Sequence, residues 1–107
     1  NAIDAAVAAA FTLAVVEPSM SGIGGRTQIL IYSPKTGYHG LDATTSAPND
    51  YDYENAPKKR YGYPSIGVPG VVKGLTKALS EHGTMQRNDV MAPAIQIAED
   101  GHSLIFG

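Results

Sequence analysis

The segment NAIDAAVAAAFTLAVVEPSMSGIGG, residues 1–25, joins an alanine-rich apolar run to a Glu-Pro step and a glycine-dense turn. Alanine has the highest helix propensity, so residues 1–16 predict a helix. Thirteen of these residues are apolar, which leaves no polar face and predicts that the helix is covered on most sides. Pro18 should end it, because proline disfavours helical geometry in the residue before it. The glycines at positions 22, 24 and 25 then predict a sharp turn that another backbone can approach closely.

A β-hairpin should follow this turn. Residues 27–33, TQILIYS, are rich in β-branched and aromatic side chains, and residues 38–42 can return after the turn at positions 34–37. The mainly apolar run over residues 29–32 favours a strand covered on both faces. Residues 44–63 are polar and broken by proline and glycine, which predicts a long surface connection with tyrosines as aromatic anchors.

Two more helices are expected after this connection. Apolar residues recur at helical spacing from about residue 70 to 82, and Gly83 follows as a left-handed cap. Asn88 should cap the last helix and Gly101 should close it, with a kink at Pro93. Its apolar side is predicted to consist of Ala92, Ile95 and Ala98. This order of elements predicts an α+β fold with helices packed against a sheet.

Composition excludes several classes of function. The formal net charge is -2, so there is no basic surface to attract nucleic acid or an anionic membrane. The chain has no cysteine, which removes disulfides, zinc-thiolate sites and a cysteine nucleophile but leaves the compartment open. The apolar segment over residues 2–16 is shorter than the roughly 20 residues that cross a bilayer and lacks a cationic leader. We therefore expect neither a signal peptide nor a membrane span, and we expect the chain to be a piece of a longer protein.

Individual polar residues give few signals of their own. His39, His82 and His102 have no zinc-binding spacing, so structural or surface roles are expected for them. The glycines at 22–25 follow a helix rather than a strand and precede no Lys-Ser or Lys-Thr pair, which argues against a phosphate loop. The other residues with an expected role are Asp4 and Asp42 as acceptors for backbone donors or a buried contact, Thr44, Thr45 and Ser46 as turn residues, and the basic cluster at 58–60 as a solvated loop.

Taken together, several short motifs resemble one enzyme family. They are NAIDAAVA at residues 1–8, VEP at 16–18, SGIGG at 21–25, the hairpin, residues 42–48, GVPG at 67–70 with Gly74, HGT at 82–84, and APAI at 92–95 followed by AEDG at 98–101. In this order they resemble the N-terminal part of the large subunit of gamma-glutamyltranspeptidases, members of the N-terminal-nucleophile hydrolase superfamily. The resemblance covers residues 1–107, which would be an incomplete domain.

The resemblance implies a four-layered αββα fold and a precursor that cleaves itself into a large and a small subunit. The catalytic threonine would begin the small subunit, where its own amino group can activate the hydroxyl for attack on a γ-glutamyl amide such as glutathione. The oxyanion hole and most substrate contacts would also come from that subunit. No catalytic residue is therefore expected in this chain, and no metal or organic cofactor is implied.

One motif departs from the family pattern at a substrate-binding position. The large subunits carry Asp-x-Arg-(Glu)-x-Ala-Pro, whose arginine pairs with the α-carboxylate of the substrate, and here Thr44 takes the place of that arginine. A hydroxyl donates one neutral hydrogen bond where a guanidinium donates two charge-assisted bonds. The glycine loop also departs, since Arg26 and Thr27 stand where the family often has glycine. Arg26 could supply the missing charge, the alternative being a solvated arginine at the start of a strand.

Two functions follow from these residues. The first is a gamma-glutamyltranspeptidase-like threonine hydrolase, or a relative with altered acyl specificity such as a cephalosporin acylase. The alternative is a binding or scaffold protein that has kept the fold and lost the site. The expected partners are the rest of the large subunit and the small subunit, because a two-stranded hairpin and an apolar helix bury too little surface alone.

Overall fold

The computed structural model describes residues 1–56, 58 and 61–104. Its elements are helix α1 (Ala2–Val16), short helix α2 (Pro18–Ser21), strand β1 (Thr27–Ser33), strand β2 (Gly37–Ala43), helix α3 (Val71–His82) and helix α4 (Arg87–Asp100). A turn of 3-10 helix, Tyr63–Ser65, lies in the connection between β2 and α3. This mixture of helix and strand matches the prediction. Lys59 and Arg60 of the basic cluster lie outside the described residues.

Helix α1 begins with a reciprocal cap. The Asn1 side-chain oxygen accepts hydrogen bonds from the backbone N–H groups of Ile3 and Asp4 at 2.8 and 3.0 Å, and the Asp4 carboxylate accepts one from the Asn1 backbone nitrogen at 2.7 Å. The predicted helix is confirmed, but within this chain it is not covered on most sides as expected. Phe11 is buried and Leu13 is 45% exposed, since α3 and α4 pack against one side of α1.

Pro18 ends α1 as predicted and also starts the short helix α2, which the sequence did not predict. A proline is well placed at the first position of a helix, because its missing N–H has no helical partner there. A turn then closes with a hydrogen bond from the Gly25 N–H to the Gly22 carbonyl at 3.2 Å. A Cβ on Gly22 would lie only 2.7 Å from the Pro18 carbonyl oxygen, so glycine is needed for close approach, as predicted.

The two strands form the predicted antiparallel hairpin. Their register runs from the pair Thr27 and Ala43 at the open end to Ser33 and Gly37 at the turn. Gly37 has φ +80°, which side chains of L-residues rarely adopt. The prediction that residues 29–32 are covered on both faces is wrong within this chain. Ile31 is 5% exposed but Leu30 is 73% exposed, because α3 covers only one face of the hairpin.

The third and fourth helices lie where they were predicted, but their caps differ. Gly83 has φ −82° and is not left-handed. It is glycine for lack of space, since a Cβ there would lie 2.5 Å from the Leu79 carbonyl oxygen and 2.7 Å from the Asp4 carboxylate. Asn88 lies inside α4 rather than at its cap, because the helix already begins at Arg87. Gly101, at φ +79°, closes α4 as predicted.

The buried side of α4 also differs from the prediction. Val90 and Ala94 are buried against the rest of the fold, whereas Ala92, Ile95 and Ala98 are exposed. Pro93 lies within α4 without ending it. Packing against α1 therefore decides which side of this helix is buried, and α4 carries apolar residues on both sides.

A small core joins these elements. Helix α3 lies across both strands, and α1 packs against α3 and α4. The buried apolar residues are Val7, Phe11, Ile31, Leu75, Ala78, Leu79, Val90 and Ala94. Because α3 rests on the hairpin, its first turn is brought to the open end of the two strands.

The connection between β2 and α3 runs over the surface, as predicted, but most of its tyrosines are not anchors. Tyr53, Tyr61 and Tyr63 are 78%, 84% and 92% exposed. Tyr51 is half-buried and packs edge-on against Tyr53, with 4.9 Å between the ring centroids. Within the described part of the chain, Tyr61 and Tyr63 are paired with no other aromatic ring.

Candidate functional site

Arg26 lies immediately before β1 and is exposed. It lines a cleft of about 600 Å³ between α1, α2, the glycine turn and the start of α3. The hydroxyl-bearing residues Ser19, Ser21 and Thr27 line the same cleft. A guanidinium beside hydroxyl groups can bind an anion such as a carboxylate by charge-assisted hydrogen bonds.

Thr44 lies immediately after β2 and is also exposed. Its backbone N–H donates a hydrogen bond to the Asp42 carboxylate at 3.1 Å, a local turn in which Asp42 accepts a backbone donor as predicted. Thr44 is not among the residues that line the Arg26 cleft. Its position is therefore fixed by the end of β2 and by the segment that follows.

The hairpin register brings Arg26 and Thr44 to the same end of the sheet. Thr27 and Ala43 form the last pair of the ladder, and Arg26 and Thr44 are the next residue outward on each strand. We call residues 25–27 and 43–46 the open end of the hairpin. Neighbouring positions across an antiparallel pair lie about 4.5–5.5 Å apart while the ladder lasts. The two residues singled out from the sequence thus lie at the same end of the sheet.

Residues 67–71, which lead into α3, are hydrogen-bonded to both sides of the open end. The Gly25 carbonyl accepts hydrogen bonds from the N–H groups of Gly70 and Val71 at 3.1 and 3.3 Å. Ser46 and Val68 form an isolated antiparallel bridge, with N–H to carbonyl distances of 3.1 and 2.7 Å. Gly25, just before Arg26, and Ser46, two residues after Thr44, are therefore both bound to this one segment, an arrangement that the sequence did not predict.

A second polar centre lies away from the open end. Asp4 is 2% exposed and accepts hydrogen bonds from the Thr84 N–H at 2.8 Å, the Thr84 hydroxyl at 2.7 Å and the Met85 N–H at 3.1 Å. The hydrogen bond from the Asn1 nitrogen, followed by those from Thr84 and Met85, lowers the pKa of Asp4 from its usual value. The predicted buried contact is confirmed, and it ties the start of α1 to the loop between α3 and α4.

Two of the histidines meet, which the sequence did not predict. The rings of His39 on β2 and His82 at the end of α3 lie 4.9 Å apart between centroids. His39 Nε2 is also 2.8 Å from the Thr36 hydroxyl in the hairpin turn. This pair is at the opposite end of the hairpin from Arg26. Among residues 1–56, 58 and 61–104, no three histidine, aspartate or glutamate side chains are grouped as metal ligands.

In the part of the chain that the structure describes, no helix has both the length and the apolar character that crossing a bilayer requires.

Comparison with known proteins gives consistent matches along the chain. The sequence profile described as Gamma-glutamyltranspeptidase matches residues 1–105. Glutathione hydrolase 2 of Arabidopsis thaliana is 38% identical over 108 residues, which cover 97% of this chain. The glutathione hydrolase proenzyme of Bacillus subtilis is 38% identical over 112 residues, which cover 94% of this chain. The chain spans 19% of the length of each of these two relatives.

The fold agrees with a solved structure as well. The crystal structure of Helicobacter pylori gamma-glutamyltranspeptidase superimposes with a TM-score of 0.87 at 36% sequence identity. The match covers 95% of this chain and 32% of that one. The two proteins therefore resemble each other in sequence as well as in the arrangement of helices and strands.

Proposed function

Since this chain belongs to the gamma-glutamyltranspeptidase family, we propose that the protein of which it forms part hydrolyses or transfers γ-glutamyl, or related acyl, groups from amide donors such as glutathione. The observation that carries this proposal is the family match over residues 1–105. Two relatives that are 38% identical carry the name glutathione hydrolase, which supports the choice of donor.

The nucleophile in this proposal lies outside residues 1–107. It is a threonine at the start of a small subunit, released when a precursor cleaves itself, and its free amino group activates its hydroxyl. The word proenzyme in the name of the Bacillus subtilis relative supports such processing. This chain would be the N-terminal portion of the large subunit and would contribute binding groups rather than the reacting ones.

The outer face of the hairpin supports an assembly with the rest of the protein. The exposed side chains on this face are Leu30, Tyr32 and Tyr38, at 73%, 62% and 74%. The centroids of the two tyrosine rings lie 4.9 Å apart. Burying apolar surface stabilises a protein by about 25 cal/mol per Å², so packing of another part of the protein against this face would be favourable. The remainder of the large subunit and the small subunit would supply it, with α3 on one face and a second sheet on the other, as in the four-layered αββα arrangement.

The open end of the hairpin is the part of this chain that would meet the substrate. Thr44 stands at the position of the family arginine and offers a single neutral hydrogen bond to an α-carboxylate. Arg26, one residue beyond the same rung of the ladder, offers a positive charge. We assign carboxylate binding to Arg26 and a weaker, orienting contact to Thr44.

The complete protein provides the test. We expect it to release glutamate from glutathione and to contain two polypeptides, one of which begins with threonine. Intact mass, N-terminal sequencing and a glutamate assay measure both results. The control replaces that threonine with alanine, which should abolish processing and glutamate release together.

A second function rests on Thr44. Loss of the family arginine is the change expected if a relative had kept the fold and lost the substrate site, leaving a non-catalytic binding or scaffold protein. An unprocessed polypeptide that releases no glutamate would favour this second function over the first.

A further inference from the structure

We propose that Gly70 and Gly74 are positioning residues that hold the open end of the hairpin, and thereby Arg26 and Thr44, in the geometry that binds the substrate. This inference rests on the proposed function, because it concerns the same binding site. It assigns a role to two glycines that bind no substrate themselves.

Gly70 leaves room for the backbone after β2. A Cβ at this position would overlap the carbonyl oxygen of Ala43 and would lie 2.8 Å from the carbonyl oxygen of Thr44. Both atoms belong to the main chain and cannot rotate away. The φ of Gly70 is −108°, which any residue can adopt, so the requirement for glycine here is one of space.

Gly74 makes the same kind of contact one turn later in α3. A Cβ there would lie 2.5 Å from the Ala43 Cβ and 3.0 Å from the Thr27 Cγ2. Thr27 and Ala43 are the last pair of the ladder. Helix α3 therefore rests directly on the final rung of the hairpin, and any side chain at position 74 would push that rung outward.

Hydrogen bonds hold the same parts together from the other direction. Gly70 and Val71 donate to the Gly25 carbonyl, and Val68 is bridged to Ser46. Close packing prevents the open end from moving toward α3, and these bonds prevent it from moving away. A displacement of the first turn of α3 would thus shift both Arg26 and Thr44.

The test uses Gly74→Ala in the complete protein, because Gly70→Ala meets main-chain atoms and can fail to fold. We expect the KM for glutathione to rise about tenfold while kcat changes less than about twofold, since the substrate contact is displaced and the nucleophile is not. Alanine has a higher helix propensity than glycine, so a weakened α3 would not explain this result.

The second variant adds Ala43→Gly to Gly74→Ala. It removes the Cβ that the new methyl group at position 74 would strike. The double variant should return KM to within about twofold of the original value, as expected for two residues coupled by direct contact. Lys73→Ala, an exposed position on α3, is the matched control and should leave KM unchanged.

Each other outcome has a distinct meaning. An unchanged KM in Gly74→Ala, or a loss of folded protein with unchanged KM, would overturn the positioning role. A raised KM that Ala43→Gly does not restore would overturn the contact with Ala43 as its cause. An original protein that releases no glutamate would contradict the proposed function, and the role in substrate binding with it.

Discussion

At the scale of single residues, the proposed function gives Arg26 and Thr44 together the carboxylate contact that one arginine makes in the family pattern. They flank the same end of the hairpin, but only Arg26 carries a charge and lines a cleft. A charge-assisted hydrogen bond to a carboxylate is roughly twice as strong as a neutral one. Substrate affinity should therefore depend on Arg26 more than on Thr44.

Replacing Arg26 with alanine in the complete protein should raise the KM for glutathione about 10- to 150-fold with little change in kcat, since a hydrogen bond to a charged group contributes about 1.5–3 kcal/mol. Steady-state kinetics measure both constants. Arg26→Lys should recover part of the loss, and Arg87→Ala, at an exposed arginine that begins α4, should have no effect. An unchanged KM in Arg26→Ala would mean that this arginine is only a solvated residue at the start of a strand.

Restoring the family residue should act in the opposite direction. In Thr44→Arg we expect a lower KM for glutathione, because a guanidinium can donate two hydrogen bonds to the α-carboxylate. A glutathione analogue whose γ-glutamyl α-carboxylate is amidated should gain no such benefit. Equal gains for both donors would show that position 44 does not recognise the carboxylate.

Asp4 makes stability depend on pH in a defined direction. Its pKa is lower in the folded protein than its ordinary 3.8, so its contribution is complete above that value and is lost as the pH falls through the folded pKa. Asp4→Asn should lower the melting temperature at pH 7, and the difference from the original protein should shrink below about pH 4.

Melting curves of both proteins from pH 7 to pH 3 measure this effect. Asp89→Asn, at an exposed carboxylate in the first turn of α4, is the control and should cause a much smaller change. A difference between the original protein and Asp4→Asn that stays constant down to pH 3 would show that the charge of Asp4 is not what stabilises the fold.

At the scale of elements, helix α1 is packed on one side within the part of the chain that the structure describes. Its buried residues Val7 and Phe11 face α3 and α4, and its opposite side is alanine-rich and exposed. Few large side chains fill this core, so each should contribute more to the free energy of unfolding than the apolar composition of the helix suggests.

Phe11→Ala should therefore lower the free energy of unfolding by about 3–5 kcal/mol, the usual cost of removing a buried phenylalanine. Leu13→Ala, on the same helix but 45% exposed, should cost clearly less. Thermal or chemical denaturation of the complete protein provides the comparison. Equal losses would mean that α1 is covered on both sides in the complete protein.

The elements that the sequence predicted correctly have local causes. The run TQILIYS and the turn after it specify the hairpin, and helical spacing over residues 70–82 specifies α3. The errors concern features set by neighbours. Gly83 is glycine because Asp4 and Leu79 lie against it, and α4 buries Val90 and Ala94 because α1 lies on that side. Asp4 and α1 are both distant in sequence from the residues that they contact here, so the local pattern does not show them.

The candidate site was predictable to the same extent. Once a hairpin is assumed, its register brings positions 26 and 44 to one end. The hydrogen bonds from residues 67–71 to that end depend on where α3 packs. The spacing of the glycines at 67, 70 and 74 did not indicate that position. The roles of Arg26 and Thr44 in substrate binding stay predictions.

At the scale of the whole molecule, the hairpin has one face that α3 covers and an outer face that nothing in the described part of the chain covers. Helix α3 buries Ile31 on the first face, while Leu30, Tyr32 and Tyr38 form an apolar group on the second. Such a group on a two-stranded sheet favours contact with another layer of the same protein.

A charge on the outer face of the hairpin should disturb assembly of the complete protein. For Leu30→Asp we expect less correctly folded and processed protein, because a carboxylate would be buried without a partner. Size-exclusion chromatography and the fraction of processed polypeptide measure the effect. Lys73→Asp, an exposed substitution on α3, should have little effect by comparison. A normal yield of processed Leu30→Asp would show that this face stays in water.

The link between Asp4 and Thr84 also bears on the order in which the chain folds. Its partners are 80 positions apart, so it closes a loop that contains the hairpin, the long connection and α3. Closing such a loop costs conformational entropy before the contact is gained, and local elements form at less cost. We expect this link to form after the folding transition state, so Asp4→Asn should speed unfolding and leave the folding rate almost unchanged.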